Sequence, residues 1–238
     1  MVLNIKNRPS PNCDSRNGAA VRAIVIHATA GVNSLAHLRN PAPGGKRENA
    51  VSAHDLIAKD GTIFHLCDYG TRAWHAGRAA IPPHTGDVNG FSIGIEIENL
   101  NDGIDPYPPA QMEAAVELVQ NLVNQFGISR QFVVTHAACA LPRGRKNDPQ
   151  PPAFNMQRFL DDVFGGGQQS TTTFAVTGDG LRIRLGPGTD FDIVGSLDAD
   201  QVIAVDQIVD GEDVQGETKW AHLADGRGYV TMRFLRTI

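Results

Sequence analysis

The chain has 238 residues, of which 41% are hydrophobic and 20% charged, and carries a formal net charge of −5. That is ordinary globular composition, and no apolar run approaches the roughly 20 residues that a bilayer-spanning helix needs. Three scattered cysteines, Cys13, Cys67 and Cys139, are too few for a disulfide framework. The charge is uneven: from Phe174 onward, six Lys and Arg face eleven Asp and Glu, so the whole net charge lies in the tail. No basic stripe follows from this pattern, which excludes a nucleic-acid partner. The first twenty residues contain no apolar stretch of the secretory type.

In chain order, RAIVIH (22–27) has apolar residues on both faces and reads as a central strand closed by His27. SAHDLIAKDGTIFHLC (52–67) reads as a hairpin with Lys59, Asp60 and Gly61 at its turn. FSIGIEIEN (91–99) alternates, with Ile93, Ile95 and Ile97 on one face and Gly94, Glu96 and Glu98 on the other. Met112, Val116, Val119, Val123 and Phe126 recur at helical spacing, and Gly127 supplies a stop. QFVVTH (131–136) predicts a second buried strand closed by His136. PPAFNMQRFLDDVF (151–164) predicts a closing helix that starts at its prolines.

Residues 165–173, GGGQQSTTT, form a flexible linker by composition. Beyond them short strands and turns replace the alternation of helix and strand. The expected class is α/β, a mixed β-sheet flanked by helices over residues 1–164, followed by a small all-β barrel over 174–238.

Open α/β sheets build their sites at the carboxyl ends of strands. His27 and His136 each close a strand, and Asp148 follows a loop later. Two imidazoles and a carboxylate make a three-ligand zinc site with a fourth position left for water or substrate. Cys139, only three residues after His136, reads as a small buried side chain. Glu96 shares the polar face of its strand with Gly94, which leaves room for close approach of a substrate. Glu98 on that face is its competitor. His37, His65, His84 and His222 belong to no constellation.

The strings SPNCDSR, VIHATAG, VSAHDLIAKDGTI, RAWHAG, FSIGIEIEN, VVTH and RKNDP occur in order. Together they resemble the zinc-dependent N-acetylmuramoyl-L-alanine amidases of the amidase-2 family, related to the peptidoglycan recognition proteins. The resemblance implies one Zn²⁺ held by His27, His136 and Asp148, with Glu96 as the catalytic carboxylate and Lys146 stabilising the oxyanion. It departs from the family in one respect: the loop AACALPRGRKN before Asp148 is longer than the family spacing. His54, Trp74 and His75 are expected to line the substrate cleft. The order of LRIRLGPG, KWAHL and GRGYV resembles the bacterial SH3-like (SH3b) domain, a small barrel that binds cell wall or packs on a neighbour.

The implied reaction is cleavage of the bond between the lactyl group of N-acetylmuramic acid and L-alanine in bacterial peptidoglycan. A lytic enzyme of endolysin or autolysin type is expected, acting as a monomer, made in the cytoplasm and released onto the wall without a membrane partner. The alternative is a cytoplasmic amidase recycling anhydromuramyl peptides; enzymes of that kind place Asn after the first histidine, where this chain has Ala28. A non-catalytic recognition protein is the third reading, and the full ligand set speaks against it.

Overall fold

The computed structural model describes residues 3–41, 50–165, 172–225 and 227–238. The chain divides into two compact units, Met1–Ile81 with Thr85–Gly166, and Pro82–His84 with Gly167–Ile238.

The first unit is built on a six-stranded mixed sheet. Its strands are β1 (Ile5–Asn7), β3 (Ala23–Ala28), β4 (Asp55–Ile57), β5 (Ile63–His65), β7 (Ser92–Ile97) and β8 (Val133–Thr135). They lie in the order β1-β5-β4-β7-β3-β8. β2 (Cys13–Ser15) and β6 (Thr71–Ala73) form a separate antiparallel pair. The helices are α1 (Ser34–Arg39), α2 (Val88–Phe91), α3 (Pro109–Phe126), α4 (His136–Cys139) and α5 (Met156–Phe164).

Alternation along the strands sorts the side chains into two layers. Ile24 and Ile26 of β3 and Ile93, Ile95 and Ile97 of β7 pack against Leu118, Val119 and Leu122 of α3 and Phe159 and Val163 of α5. Ala23 and Val25 join Ala76, Ile81, Val88, Phe91 and Cys139 in a smaller cluster. The second layer contains the odd residues of β3 and the even residues of β7. It therefore contains His27 and Glu96.

The expected hairpin forms: β4 and β5 pair antiparallel, and Ala58 N–H donates to Thr62 O and Gly61 N–H to Ala58 O. Gly61 sits at φ +83°, and a Cβ there would lie 2.7 Å from Ala110 O. α3 ends at Gly127 in the left-handed region, as its sequence predicts.

Three boundaries differ from expectation. α5 starts at Met156, because Asn155 caps it by accepting from Arg158 N–H; Pro151 and Pro152 lie in the preceding turn. QFVVTH is not wholly strand: residues 130–132 form a 3₁₀ turn, and β8 is an edge strand whose second and third residues are only partly buried. Residues 166–171 of the expected linker lie outside the described residues, but Thr172 and Thr173 already belong to a strand, paired with Val205 and Ala204.

The second unit is a curled antiparallel sheet. Its strands are β9 (Thr172–Val176), β10 (Leu181–Arg184), β11 (Ile193–Leu197), β12 (Val202–Val214), β13 (Glu217–Leu223), β14 (Tyr229–Thr231) and β15 (Leu235–Thr237), in the order β11-β10-β14-β13-β12-β9-β15. β12 has 13 residues, and its register against β13 shifts twice. Such irregularities bend a strand and increase its twist. The sheet encloses Phe174, Val176, Ile183, Leu197, Val205, Leu223 and Val230.

A Gly61→Ala substitution combines a disfavoured φ with a backbone clash. Urea unfolding is expected to show a loss of about 1–3 kcal/mol; an unchanged midpoint would show that the turn relaxes freely.

Candidate metal centre and cleft

Parallel pairing brings the site residues together. β3 lies between β7 and β8, and its register sets His27 opposite Glu96. Ile26 faces Thr135, so His136 follows at the same level as His27. His136 is the first residue of α4, whose N-cap Thr135 accepts from Ala138 N–H. A backbone bond from Ala137 N–H to Asp148 O, 2.9 Å, fastens the third residue to that helix.

His27, His136 and Asp148 are all buried, and their ligand atoms lie within 4.8 Å of one another. His27 Nδ1 is 3.0 Å from His136 Nδ1 and 3.5 Å from Asp148 Oδ2; His136 Nδ1 is 3.1 Å from Asp148 Oδ2. The protons can be assigned from the outer partners. Ser92 Oγ is 2.6 Å from Val88 O, which can only accept, so the hydroxyl proton goes there. The Ser92 oxygen then accepts from His75 Nε2 at 3.3 Å. That leaves His75 Nδ1 bare to accept from His27 Nε2 at 3.0 Å. On the other ligand, His136 Nε2 donates to Ala76 O at 3.1 Å.

Both neutral imidazoles therefore turn a bare Nδ1 inward, toward a carboxylate oxygen. Three acceptors 3.0–3.5 Å apart repel one another unless a cation sits among them. A proton serves one pair, whereas a zinc ion serves all three. A tetrahedral ion with bonds near 2.0–2.1 Å has ligand-to-ligand edges of about 3.3 Å. The donor set fits zinc.

Electrostatics agree with a neutral His27 beside a charged carboxylate. Burial lowers the His27 pKa to about 4, against the opposing influence of Asp148. Burial also holds His75 well below its ordinary value. For Asp148, burial would raise the pKa, but the adjoining His136 and His27 rings outweigh it and hold the group far below the usual carboxylate range.

A cleft of about 740 Å³ opens over this centre. Glu96 and Lys146 line it, together with residues 28–34 and Asn101. Glu96 Oε2 is buried without a hydrogen-bond partner. Burial pushes the Glu96 carboxyl up to about 8; the Asp148 charge adds to this and Lys146 opposes it. Glu98 lies elsewhere, and its Oε2 accepts from Lys59 N–H. Cys139 stands apart from the ligand cluster: its Sγ approaches His136 O at 3.6 Å, and burial raises its thiol to about 12.

Of the three residues expected to line the cleft, His75 does so and the other two do not. His54 is fully buried and does not line it. Its Nδ1 accepts from Gly94 N–H at 3.0 Å, and its Nε2 lies 3.1 Å from Thr71 O and 2.8 Å from Arg16 Nη2. Trp74 also lies outside the lining. His75 reaches the cleft, but both ring nitrogens are engaged behind the metal centre. Gly94 does not make room for a substrate: a Cβ there would lie 2.3 Å from His75 Cγ, so the space belongs to that ring.

Three groupings are not legible in the sequence. Arg16, in SPNCDSR, is buried and donates to the carbonyls of Tyr69, Gly90 and Ser92, bracing β7 from behind. His65 does have a constellation: its Nδ1 lies 2.8 Å from Asp55 Oδ1, and Tyr69 OH donates to Asp55 Oδ2. His222 similarly lies 2.7 Å from Asp206 Oδ1.

The family model for N-acetylmuramoyl-L-alanine amidase (Amidase_2) matches residues 17–151, more than half of the chain. The chain belongs to this amidase family. It is 36% identical over 110 residues to the 1,6-anhydro-N-acetylmuramyl-L-alanine amidase AmpD of Enterobacter cloacae, covering 46% of this chain and 56% of that protein. It is 33% identical over 147 residues to the N-acetylmuramoyl-L-alanine amidase AmiD of Escherichia coli K12, covering 55% and 49%. The chain thus spans about half the length of the curated relatives it matches. A crystal structure of selenomethionine AmpD superposes with a TM-score of 0.57 at 28% identity, over 68% of this chain and 96% of that one. The E. coli AmiD structure, solved with the substrate anhydro-N-acetylmuramic acid-L-Ala-D-γ-Glu-L-Lys, gives 0.50 at 31% identity, over 65% and 60%.

The buried neutral histidines of this amidase domain set its acid sensitivity. Burial lowers the His54 pKa from 6.5 to about 3, with Arg16 adding to the effect. The unfolded chain therefore binds a proton that the folded chain refuses between those values. Stability is full above about pH 6.5 and is lost as pH falls toward 3. From this group alone, urea unfolding is expected to show about 2 kcal/mol less stability at pH 5 than at pH 8. His27 and His75 act in the same direction. Stability that holds level or rises on acidification would contradict the assignment.

Proposed function

We propose that this chain hydrolyses the amide between the lactyl group of an N-acetylmuramyl residue and L-alanine, using one zinc ion. The observation that carries this is the set of three inward acceptors without a proton, beside the Glu96 carboxylate whose Oε2 has no hydrogen-bond partner, in an open cleft. When bound, zinc supplies a Lewis acid for the lactyl carbonyl and lowers the pKa of water toward about 7. His27, His136 and Asp148 hold it. Glu96 takes the proton of the attacking water and returns it to the departing alanine nitrogen. The C–O bond forms at the lactyl carbonyl, whose oxygen takes up the negative charge, and the C–N bond then breaks as the nitrogen receives the proton, leaving a lactyl carboxylate and a free peptide amine. Lys146, on the cleft wall, offers a fixed cation to the oxyanion.

The substrate class follows the relatives. AmpD is named for 1,6-anhydro-N-acetylmuramyl-L-alanine, and the AmiD structure holds an anhydromuramyl peptide. This favours anhydromuramyl peptides over the intact wall expected from the sequence, and Ala28 in place of Asn does not outweigh it. The second reading, a wall-acting enzyme, rests on the second unit: a curled antiparallel sheet, which we read as an SH3-like module for wall binding.

Mass spectrometry of products from soluble anhydromuramyl peptides and from intact sacculi separates these readings. Release of stem peptide at the lactyl bond is expected from the soluble substrate; no cleavage there in either sample would refute the amidase assignment. Glu96→Ala is expected to keep zinc and lower kcat by about 10²–10⁴, with Glu98→Ala mild. A reversed ranking would move the proton role to Glu98. Cys139→Ser should retain both zinc and rate, and loss of the metal would displace Asp148 as third ligand.

The tail is tested by a chain ending at Gly165. It should match the parent on soluble peptides and be slower on sacculi, since tethering raises local concentration at an insoluble substrate. Equal rates on sacculi, with no pull-down of residues 172–238 by purified walls, would remove the wall-binding reading.

A further inference from the structure

We propose that His75 and Asn89 are positioning residues that determine zinc affinity by holding both histidine ligands at their outer nitrogens. This rests on the metal centre described above and deepens it. The two imidazoles come from different elements, strand β3 and helix α4, yet their outer contacts fall on adjacent residues. His27 Nε2 meets the His75 ring and His136 Nε2 meets the carbonyl of Ala76. A single dipeptide therefore selects the tautomer of both ligands.

That dipeptide is held by one buried side chain. Asn89 Oδ1 accepts from both His75 N–H, at 3.1 Å, and Ala76 N–H, at 2.8 Å. Asn89 is 2% exposed, and its own N–H is capped by Asp87 Oδ1. The far side of the His75 ring is fixed by Ser92 Oγ and by the absence of a Cβ at Gly94. The chain of contacts runs from Asn89 through a peptide backbone to both ligands. If His75 Nδ1 were no longer an acceptor, His27 would be free to carry its proton on Nδ1, the atom facing the metal. Each zinc uptake would then begin with a tautomer shift. If Asn89 lost its carbonyl, two buried N–H groups would lack a partner and the dipeptide would shift away from both imidazoles.

The test is zinc affinity by chelator competition on the full chain, with thermal unfolding of the metal-free proteins as a control. His75→Leu and Asn89→Ala are expected to weaken zinc binding by about 10–100-fold, the usual effect of losing an outer partner. His75→Asn places a carbonyl oxygen near the former Nδ1, and Asn89→Asp keeps a double acceptor. Both conservative variants should bind within about threefold of the parent. A purely structural role would lower the unfolding midpoint of both members of each pair without separating their affinities. The inference is overturned if folded His75→Leu and Asn89→Ala hold zinc as the parent does, or if the conservative variants are no better than the disruptive ones. Should His75→Leu fail to fold, the Asn89 pair decides alone. A parent that binds no zinc overturns the metal centre and this inference together, whereas zinc binding that is insensitive to both positions overturns only the inference.

Discussion

Three acceptors pointed at one another inside a protein are an unstable arrangement, and most of the first unit serves to maintain it. Mutual repulsion among His27 Nδ1, His136 Nδ1 and Asp148 Oδ2 is little screened in a buried site. Left alone, the rings would rotate or take up protons. Parallel pairing fixes the level of the strands, outer hydrogen bonds fix the ring protons, and a backbone bond fixes the carboxylate. The helical layer of α3 and α5 contributes at one remove, by burying the alternate face of β3 and β7 so that neither strand can slip. A slip of one residue would exchange His27 for Ile26 at the centre.

Much of this was legible because period-two alternation leaves a direct trace. FSIGIEIEN assigns its isoleucines to one face and Glu96 to the other, and the structure does the same. The turn at Lys59–Gly61 and the stop at Gly127 were legible because glycine at positive φ has few substitutes. The two histidine ligands could be named because each stands at the end of an apolar run, whereas Asp148 rests on the resemblance of RKNDP to the family.

What was not legible was direction behind the first layer of side chains. His54 and His75 look alike in a sequence, a histidine next to small residues. One is sealed beneath β7 and the other props a ligand, and only the fold separates them. Gly94 was read as space for substrate because a missing side chain does not say which neighbour fills the gap. The start of α5 was misplaced for a simpler reason: two prolines outweighed an asparagine, although Asn155 is the residue with an oxygen to offer Arg158 N–H. His65 was passed over because its partner Asp55 sits ten positions away, across a hairpin.

The bond between Ala137 and Asp148 bears on the unusual length of the loop AACALPRGRKN. Both ends of that loop are stapled to one short helix, and the Arg145 side chain is anchored on the carbonyls of Leu141, Ala76 and Arg78. Residues 142–144 project from a closed ring whose circumference does not enter the geometry of the carboxylate. Insertions there lengthen the rim and leave the third ligand in place. A loop can thus diversify in length and composition beside a metal ion that tolerates almost no displacement.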